Sequence, residues 1–143
     1  MTVGFTCGAF DLLHAGHIAM LAECKNHCDT LIVGLQTDPT IDRPQKNKPI
    51  QSTFERFVQL NGLKYVDQIV PYDTEQDLRN IFATLTIHRR FVGEEYKGTV
   101  LTAQDLCRLY NIDIVYTTRQ HNYSSSELRN RILENGRLRN GIF

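Results

Sequence analysis

The sequence predicts an α/β domain with a parallel sheet of about five strands and helices on both faces. Short segments rich in β-branched and aromatic residues alternate five times with longer segments of helical character. One short segment, residues 30–36, is almost continuously apolar, as a central strand covered on both sides would be. With 143 residues, 41% of them hydrophobic, the chain fits one domain with a core of its own.

Each element follows from local patterning. The predicted strands are residues 2–7, 30–36, 67–72, 90–93 and 112–118, and the predicted helices are residues 15–28, 53–64, 75–85, 101–110 and 125–135. Ser52 with Glu55, and Ser124 with Glu127, have the spacing of a capping box, in which side chains satisfy the free amides of a first helical turn. Asn135-Gly136 is typical of a helix end, so residues 136–143 are expected to form a C-terminal tail.

Composition and charge exclude several classes of protein. Sixteen basic and 16 acidic residues give a net charge of +0, which argues against nucleic acid as a partner. The N-terminus does not resemble a signal peptide, and no apolar run is long enough to insert into a membrane. Four cysteines do not make a disulfide scaffold, so a reduced, cytoplasmic protein is expected. Cys24 and Cys28 share one helical stripe with His17 and Leu21, which favours small core residues over metal ligands.

The segment that follows the first strand carries the most distinctive chemistry. Ligands of parallel α/β sheets gather at the carboxyl ends of the strands, where the strand order reverses. Gly8 allows a tight turn there, and Gly16 separates two imidazoles, His14 and His17, at the start of the first helix. The free amides of a helix start favour an anion, and imidazole donors beside them suit a phosphate group.

Other interpretations of the two histidines compete with phosphate binding. A zinc site lacks a third ligand at a recognisable spacing, and a general base lacks a local serine or cysteine nucleophile. The two residues could also be ordinary helix-start residues. The pattern of residue types alone does not decide between that interpretation and phosphate binding.

Residues 8–17 read G-A-F-D-L-L-H-A-G-H and resemble the G-x-F-D-x-x-H-x-G-H signature of the cytidylyltransferase family. Lys48, the pair Glu55-Arg56 and residues 65–67 match that family's lysine, its E-x-R-like pair and its Y-V-D strand entry in order. The family belongs to a superfamily of small Rossmann-like nucleotidyltransferases, so the resemblance implies that fold.

Two further segments extend the resemblance over nearly the whole chain. Residues 91–98 resemble V-x-G-D-D-W-x-G, with glutamates in place of both aspartates and Tyr96 in place of the tryptophan. Arg119 followed by residues 123–126 resembles R-T-x-G-I-S-T-T, with Asn122 in place of the glycine and serines in place of both threonines. In length and layout the chain is most similar to the glycerol-3-phosphate cytidylyltransferase branch.

The resemblance implies transfer of a nucleoside monophosphate, CMP from CTP, to a small phosphorylated alcohol such as glycerol 3-phosphate, with release of pyrophosphate. It implies Mg²⁺ as the cofactor and a homodimer as the assembly. The implied catalytic residues are His14, His17, Lys48 and Arg119, and the implied nucleotide-binding residues are Gly8, Ala9, Phe10, Asp11, Gly16, Gly93, Glu94, Ser124, Ser125 and Ser126.

Three residues have less settled expected roles. Asp11 is expected to order the histidine segment or to help bind magnesium. Arg56 is a candidate for the acceptor's phosphate, with a surface arginine as its alternative. Lys46 is the alternative to Lys48 and a second candidate for the acceptor.

Two alternative functions accompany this expectation. The S-S-S-x-L-R sequence at 124–129 also resembles the I-S-S-T-x-I-R ending of adenylyltransferases that act on phosphopantetheine, nicotinamide mononucleotide, flavin mononucleotide or heptose phosphate. The other alternative is a nucleotide-binding regulatory module without catalysis. The presence of His14, His17, Lys48 and Arg119 weighs against that module.

Overall fold

The structure, a computed structural model, describes residues 1–118 and 123–140, with side chains as far as residue 138. Strands and helices alternate along the chain. The strands are β1 (Val3–Gly8), β2 (Thr30–Gln36), β3 (Gln68–Tyr72), β4 (Arg89–Gly93) and β5 (Asp113–Thr117). The helices are α1 (Ala15–Asn26), α2 (Thr53–Asn61), α3 (Glu75–Thr84), α4 (Gln104–Leu109) and α5 (Ser125–Asn140), with a short 3₁₀ turn over Glu94–Tyr96.

The five strands form one parallel sheet in the order β3-β2-β1-β4-β5, which confirms the predicted sheet. The strand order reverses between β1 and β4. β1 pairs with β2 along six residues but with β4 only at Gly4 and Phe5. The carboxyl halves of β1 and β4 are therefore not joined by a ladder, and this is the place where such a sheet offers a ligand crevice.

Two apolar layers cover the sheet, as predicted. Side chains of β1, β2 and β3 pack on one face against α3 and α4, around Phe5, Ile81 and Cys107. On the other face, alternate residues of β2 pack against α1 and α2, around Leu21 and Leu60. The continuous burial of residues 31–35 follows from this double covering.

The cysteines are free thiols, and two of them are core residues. Cys24 is fully buried in α1, as predicted, and burial raises the pKa of its thiol far above the ordinary value. Cys107 is buried in α4. Cys28 is only partly buried and donates its Sγ–H to the backbone oxygen of Cys24 at 3.3 Å.

The main error in the predicted elements lies at the end of the chain. The helix stop predicted at Asn135-Gly136 is wrong, because α5 continues to Asn140. Gly136 does not adopt the positive φ of a helix-terminating glycine, so residues 136–140 are helical rather than a tail. Within the described residues, no helix has the length and apolar character needed to cross a membrane.

Candidate functional site

Residues 9–14, which we name the histidine turn, connect β1 to α1 at the carboxyl edge of the sheet. Phe10 and Leu12 have φ values of 51° and 52°, in the left-handed region that favours glycine. Each such residue costs on the order of 1–2 kcal/mol. The turn therefore requires contacts from other segments to hold its shape.

Asp11, which lies between the two strained residues, supplies most of those contacts. Its carboxylate is buried and accepts hydrogen bonds from the backbone N–H groups of Ile50 and Gln51, both at 2.9 Å. Arg129 of α5 donates to its Oδ2 at 2.7 Å. Burial alone would raise the pKa of Asp11, but the two amides and the Arg129 guanidinium together hold that pKa below its ordinary value.

Arg56 of α2 also holds the histidine turn. Its side chain is almost fully buried and donates to the backbone oxygens of Ala9, Gln36 and Thr37 at 2.7–3.0 Å. It also donates to backbone oxygens of the α2 entry. The expectation of a surface arginine is therefore wrong. The role as a ligand of the acceptor phosphate stays a prediction, and the backbone carbonyls that occupy the Arg56 donors disfavour it.

The two histidines form the N-terminal cap of α1. Nδ1 of His14 accepts a hydrogen bond from Gly16 N–H at 3.0 Å, and Nδ1 of His17 accepts one from His14 N–H at 3.2 Å. A neutral imidazole whose Nδ1 is an acceptor carries its proton on Nε2. The ring centroids lie 3.9 Å apart in a stacked arrangement. The helix start thus presents two imidazole donors of fixed tautomer beside its amides.

The charge state of His17 follows from the same geometry. Burial and the neighbouring His14 lower the pKa of His17 to about 4, although Asp11 opposes the shift. His17 is therefore neutral near pH 7. It can therefore donate through a neutral N–H, and a cationic role is disfavoured.

The start of α5 meets the histidine turn, as the resemblance requires. Ser125 Oγ donates to the backbone oxygen of Asp11 at 2.8 Å, and Ser124 Oγ accepts from Glu127 N–H at 3.0 Å as a helix cap. Ser126 is exposed. Arg129 was not among the expected site residues, although the S-S-S-x-L-R pattern contains it.

Arg119 lies outside the described residues. Thr118, which immediately precedes it, is fixed from another element. The carboxylate of Glu23 in α1 accepts hydrogen bonds from the Thr118 N–H at 2.9 Å and from its hydroxyl at 2.8 Å. No sequence pattern indicated this role for Glu23.

Neither lysine of the loop between β2 and α2 is joined to the histidine turn by a hydrogen bond or ion pair within the described residues. Lys46 and Lys48 are exposed. The pKa of Asp38 is lowered chiefly by hydrogen bonds from Thr40, with a smaller contribution from Lys48, so Lys48 lies near that carboxylate. The loop is tied to the start of α3 by Asp42, which accepts from Glu75 N–H.

The three glycines expected at the nucleotide site lie at the carboxyl edge of the sheet. Gly8 ends β1, and Gly93 ends the neighbouring strand β4 just before Glu94. A Cβ on Gly93 would lie 2.5 Å from the Glu95 carboxylate. Gly16 is buried, and its N–H binds His14. All of these positions lie at the carboxyl edge beside the point of strand reversal.

A magnesium ion would find few free ligands in this part of the chain. The Asp11 oxygens already accept three hydrogen bonds, so the structure favours the expected ordering role over the metal role. The described residues hold no group of three or more His, Cys, Asp or Glu side chains placed to bind a metal ion. The residues present therefore do not fit a protein-bound magnesium, and no step below depends on one.

Comparisons with known proteins identify the family of the chain. The family model described as cytidylyltransferase-like matches residues 5–131. The bifunctional protein HldE of Granulibacter bethesdensis is 37% identical over 109 residues, 76% of this chain and 22% of the relative. HldE of Caulobacter sp. strain K31 is 34% identical over 92% of this chain and 27% of the relative. The chain thus spans about a quarter of these curated relatives.

Comparison with solved structures finds the same fold in other proteins. The lipopolysaccharide core biosynthesis protein of Thermoplasma volcanium has a TM-score of 0.64 and 28% identity, over 87% of this chain and 99% of that one. Pantothenate synthetase of Thermus thermophilus, at 15% identity and a TM-score of 0.60 over 96% of this chain and 68% of that one, shares the fold. With a family model that matches residues 5–131, the chain belongs to the cytidylyltransferase-like family of nucleotidyltransferases.

Proposed function

We propose that this protein transfers a nucleoside monophosphate from a nucleoside triphosphate to the phosphate of a small phosphorylated sugar or alcohol, with release of pyrophosphate. The observation that carries the proposal is the meeting of two helix starts at Asp11. One start presents the Nε2–H donors of His14 and His17, and the other brings Ser125 and Arg129. Two adjoining anion-binding helix starts suit a triphosphate.

The chemistry needs positioning and charge stabilisation more than covalent help from the protein. A phosphate oxygen of the acceptor attacks the α-phosphorus, the bond from that phosphorus to the bridging oxygen breaks, and pyrophosphate leaves with the electron pair. Negative charge grows on the α-phosphate oxygens during this step. Donors fixed at such positions are each worth about 3–4 kcal/mol when oxyanion holes are the guide.

His14 and His17 are the donors assigned to the α-phosphate, and Arg129 with the amides at the start of α5 is assigned to the departing phosphates. By resemblance to the family, Lys48 and Arg119 are also assigned to stabilise the negative charge of the triphosphate. Mg²⁺ is proposed to arrive with the triphosphate as part of the substrate, since Mg²⁺ commonly binds through substrate phosphates.

Between the two nucleotides, we favour ATP with a sugar phosphate of the heptose class. Arg129 belongs to the S-S-S-x-L-R sequence that resembles adenylyltransferases, and it lies at the histidine turn. The similarity to HldE and to a lipopolysaccharide core biosynthesis protein supports a saccharide acceptor. CTP with glycerol 3-phosphate is the second candidate, favoured by the G-x-F-D-x-x-H-x-G-H sequence. The expected homodimer and cytoplasmic location stay predictions.

Pyrophosphate release tests the proposal. CTP and ATP are offered separately with Mg²⁺, each with glycerol 3-phosphate and with heptose and hexose phosphates. His17→Ala is compared with His27→Ala, which changes an exposed histidine at the opposite end of α1. We expect release with ATP and a sugar phosphate, lost in His17→Ala and kept in His27→Ala. Release with CTP and glycerol 3-phosphate alone would restore the second candidate, and binding of nucleotide without any release would favour the regulatory module.

A further inference from the structure

The histidine turn is held by one residue that neither the motifs nor the comparisons mark. Gln51 lies just before α2, 39 positions from Leu12, and its Oε1 accepts the Leu12 N–H at 2.8 Å. Its own N–H donates to Asp11 Oδ1 at 2.9 Å, and its carbonyl accepts from Arg56 Nε at 3.1 Å. The side chain and the N–H of Gln51 therefore join the segment before α2 to the turn, and its C=O helps to hold Arg56.

These contacts hold a part of the turn whose backbone is strained. Leu12 has φ 52°, and Phe10 has φ 51°, so two residues with side chains hold a conformation that favours glycine on either side of Asp11. Asp11 is fixed by three partners. The Leu12 N–H, two residues before His14, donates to the side chain of Gln51.

The orientation of the imidazoles depends on the backbone immediately after Leu12. The His14 N–H fixes Nδ1 of His17, and the Gly16 N–H fixes Nδ1 of His14. A rotation of the backbone at Leu12 would displace His14, both its N–H and its ring, and so weaken both of these bonds. The tautomer that gives each ring an Nε2–H would then no longer be imposed.

We infer that Gln51 is a positioning residue, which acts through the Leu12 amide to keep the strained histidine turn, and with it the imidazole tautomers, ready for a nucleoside triphosphate. The inference rests on the proposed function for its catalytic consequence only. Its structural content, the tautomer of the two rings, is measurable without any substrate.

The test compares three variants. Gln51→Met keeps the shape of the side chain and removes the acceptor. Gln51→Glu keeps an acceptor for Leu12. Gln59→Met makes the same chemical change at an exposed position of α2 and is the matched control. Each is examined by ¹⁵N NMR of the imidazole nitrogens at neutral pH, by thermal unfolding and by pyrophosphate release.

For Gln51→Met we expect mixed tautomers of His14 and His17 and a loss of kcat/KM of about tenfold to a hundredfold, by analogy with residues that orient the ligands of a metal. Gln51→Glu and Gln59→Met keep the Nε2–H tautomers. Unchanged tautomers in Gln51→Met, with transfer within twofold of the wild type, would overturn the inference.

Two further outcomes are also decisive. If Gln51→Met does not fold, the double variant Leu12→Gly with Gln51→Met is used, because glycine accepts the positive φ without strain. Recovery of a folded protein with single tautomers supports the inference, and failure to recover them overturns it. If no triphosphate is turned over by the wild type, the proposed function fails, and the NMR comparison still decides the role of Gln51.

Discussion

The backbone N–H of His14 donates to Nδ1 of His17 at 3.2 Å, so the first histidine of the motif determines which nitrogen of the second carries the proton. Gly16 does the same for His14. The two imidazoles are thus the side-chain half of a helix cap and the donors of the candidate site at once. Histidine suits this double use, because one ring nitrogen accepts while the other donates.

The low pKa of His17 makes stability depend on pH. The folded-state pKa is about 4 against an ordinary value of 6.5, so between these two pH values the unfolded chain binds one more proton than the folded one. Unfolding free energy should therefore fall with falling pH, by up to about 1.4 kcal/mol per pH unit and about 3 kcal/mol in total. Urea unfolding from pH 7.5 to 4.5 measures this slope. His17→Gln should be flatter, and an identical slope in that variant would contradict the assignment.

Arg56 should be a determinant of stability. Its buried guanidinium joins α2 to two segments, the histidine turn and the end of β2, through the backbone oxygens of Ala9, Gln36 and Thr37. Arg56→Lys leaves several of these oxygens unpaired, which we expect to cost about 3–5 kcal/mol of unfolding free energy. Arg137→Lys, at an exposed position of α5, is the matched control and should change little. A variant with normal stability and a raised KM for the acceptor would instead restore the role expected from sequence.

Gly136 in α5 and Gly34 in β2 should respond in opposite ways to substitution by alanine. A Cβ at Gly136 would meet no atom within 4 Å, so Gly136→Ala should stabilise the helix by about 1 kcal/mol and increase helical circular dichroism. At Gly34 in β2, a Cβ would lie 2.7 Å from the Phe5 ring, so Gly34→Ala should destabilise by about 1–3 kcal/mol. Destabilisation by Gly136→Ala would show that the helix ends there after all.

The ion pair between Asp11 and Arg129 should be energetically coupled. It is largely buried and shares its carboxylate with two amides. A double-mutant cycle with Asp11→Asn and Arg129→Met is expected to give a coupling energy of about 1–3 kcal/mol. The exposed pair of Glu127 and Arg131 on the same helix is the control, with an expected value below about 0.5 kcal/mol. Equal coupling in both cycles would show that α5 is not held at the turn.

Local patterning was sufficient for the sheet and for four of the five helix starts. The helix predicted from residue 101 begins at Gln104 instead, after Ala103 with a φ of 64°. β2 occupies the predicted residues 30–36, and the capping box of Ser52 and Glu55 begins α2 where predicted. These features depend on neighbours in sequence, such as the run of apolar residues or a serine three positions before a glutamate. The meeting of the histidine turn with the start of α5 was implied by family resemblance and by no periodicity.

The features that sequence reasoning missed depend on distant partners. Arg56 looks like one charge on an amphipathic helix, and its burial is possible only because carbonyls of β2 and the histidine turn converge on it. Gly136 resembles a helix stop, but its φ is decided by the helix around it. The role of Gln51 depends on the positive φ of Leu12, which the residue type does not predict.

Asp11 accepts from residues 39 and 118 positions away in the sequence, and this has a consequence for biosynthesis. A nascent chain that has emerged from the ribosome as far as Thr117 contains all five strands but lacks Arg129, the third partner of the Asp11 carboxylate. The sheet can form in such a nascent chain before the nucleotide site does. The candidate site is therefore completed later than the sheet, when α5 emerges and Arg129 reaches Asp11, 118 positions earlier in the chain.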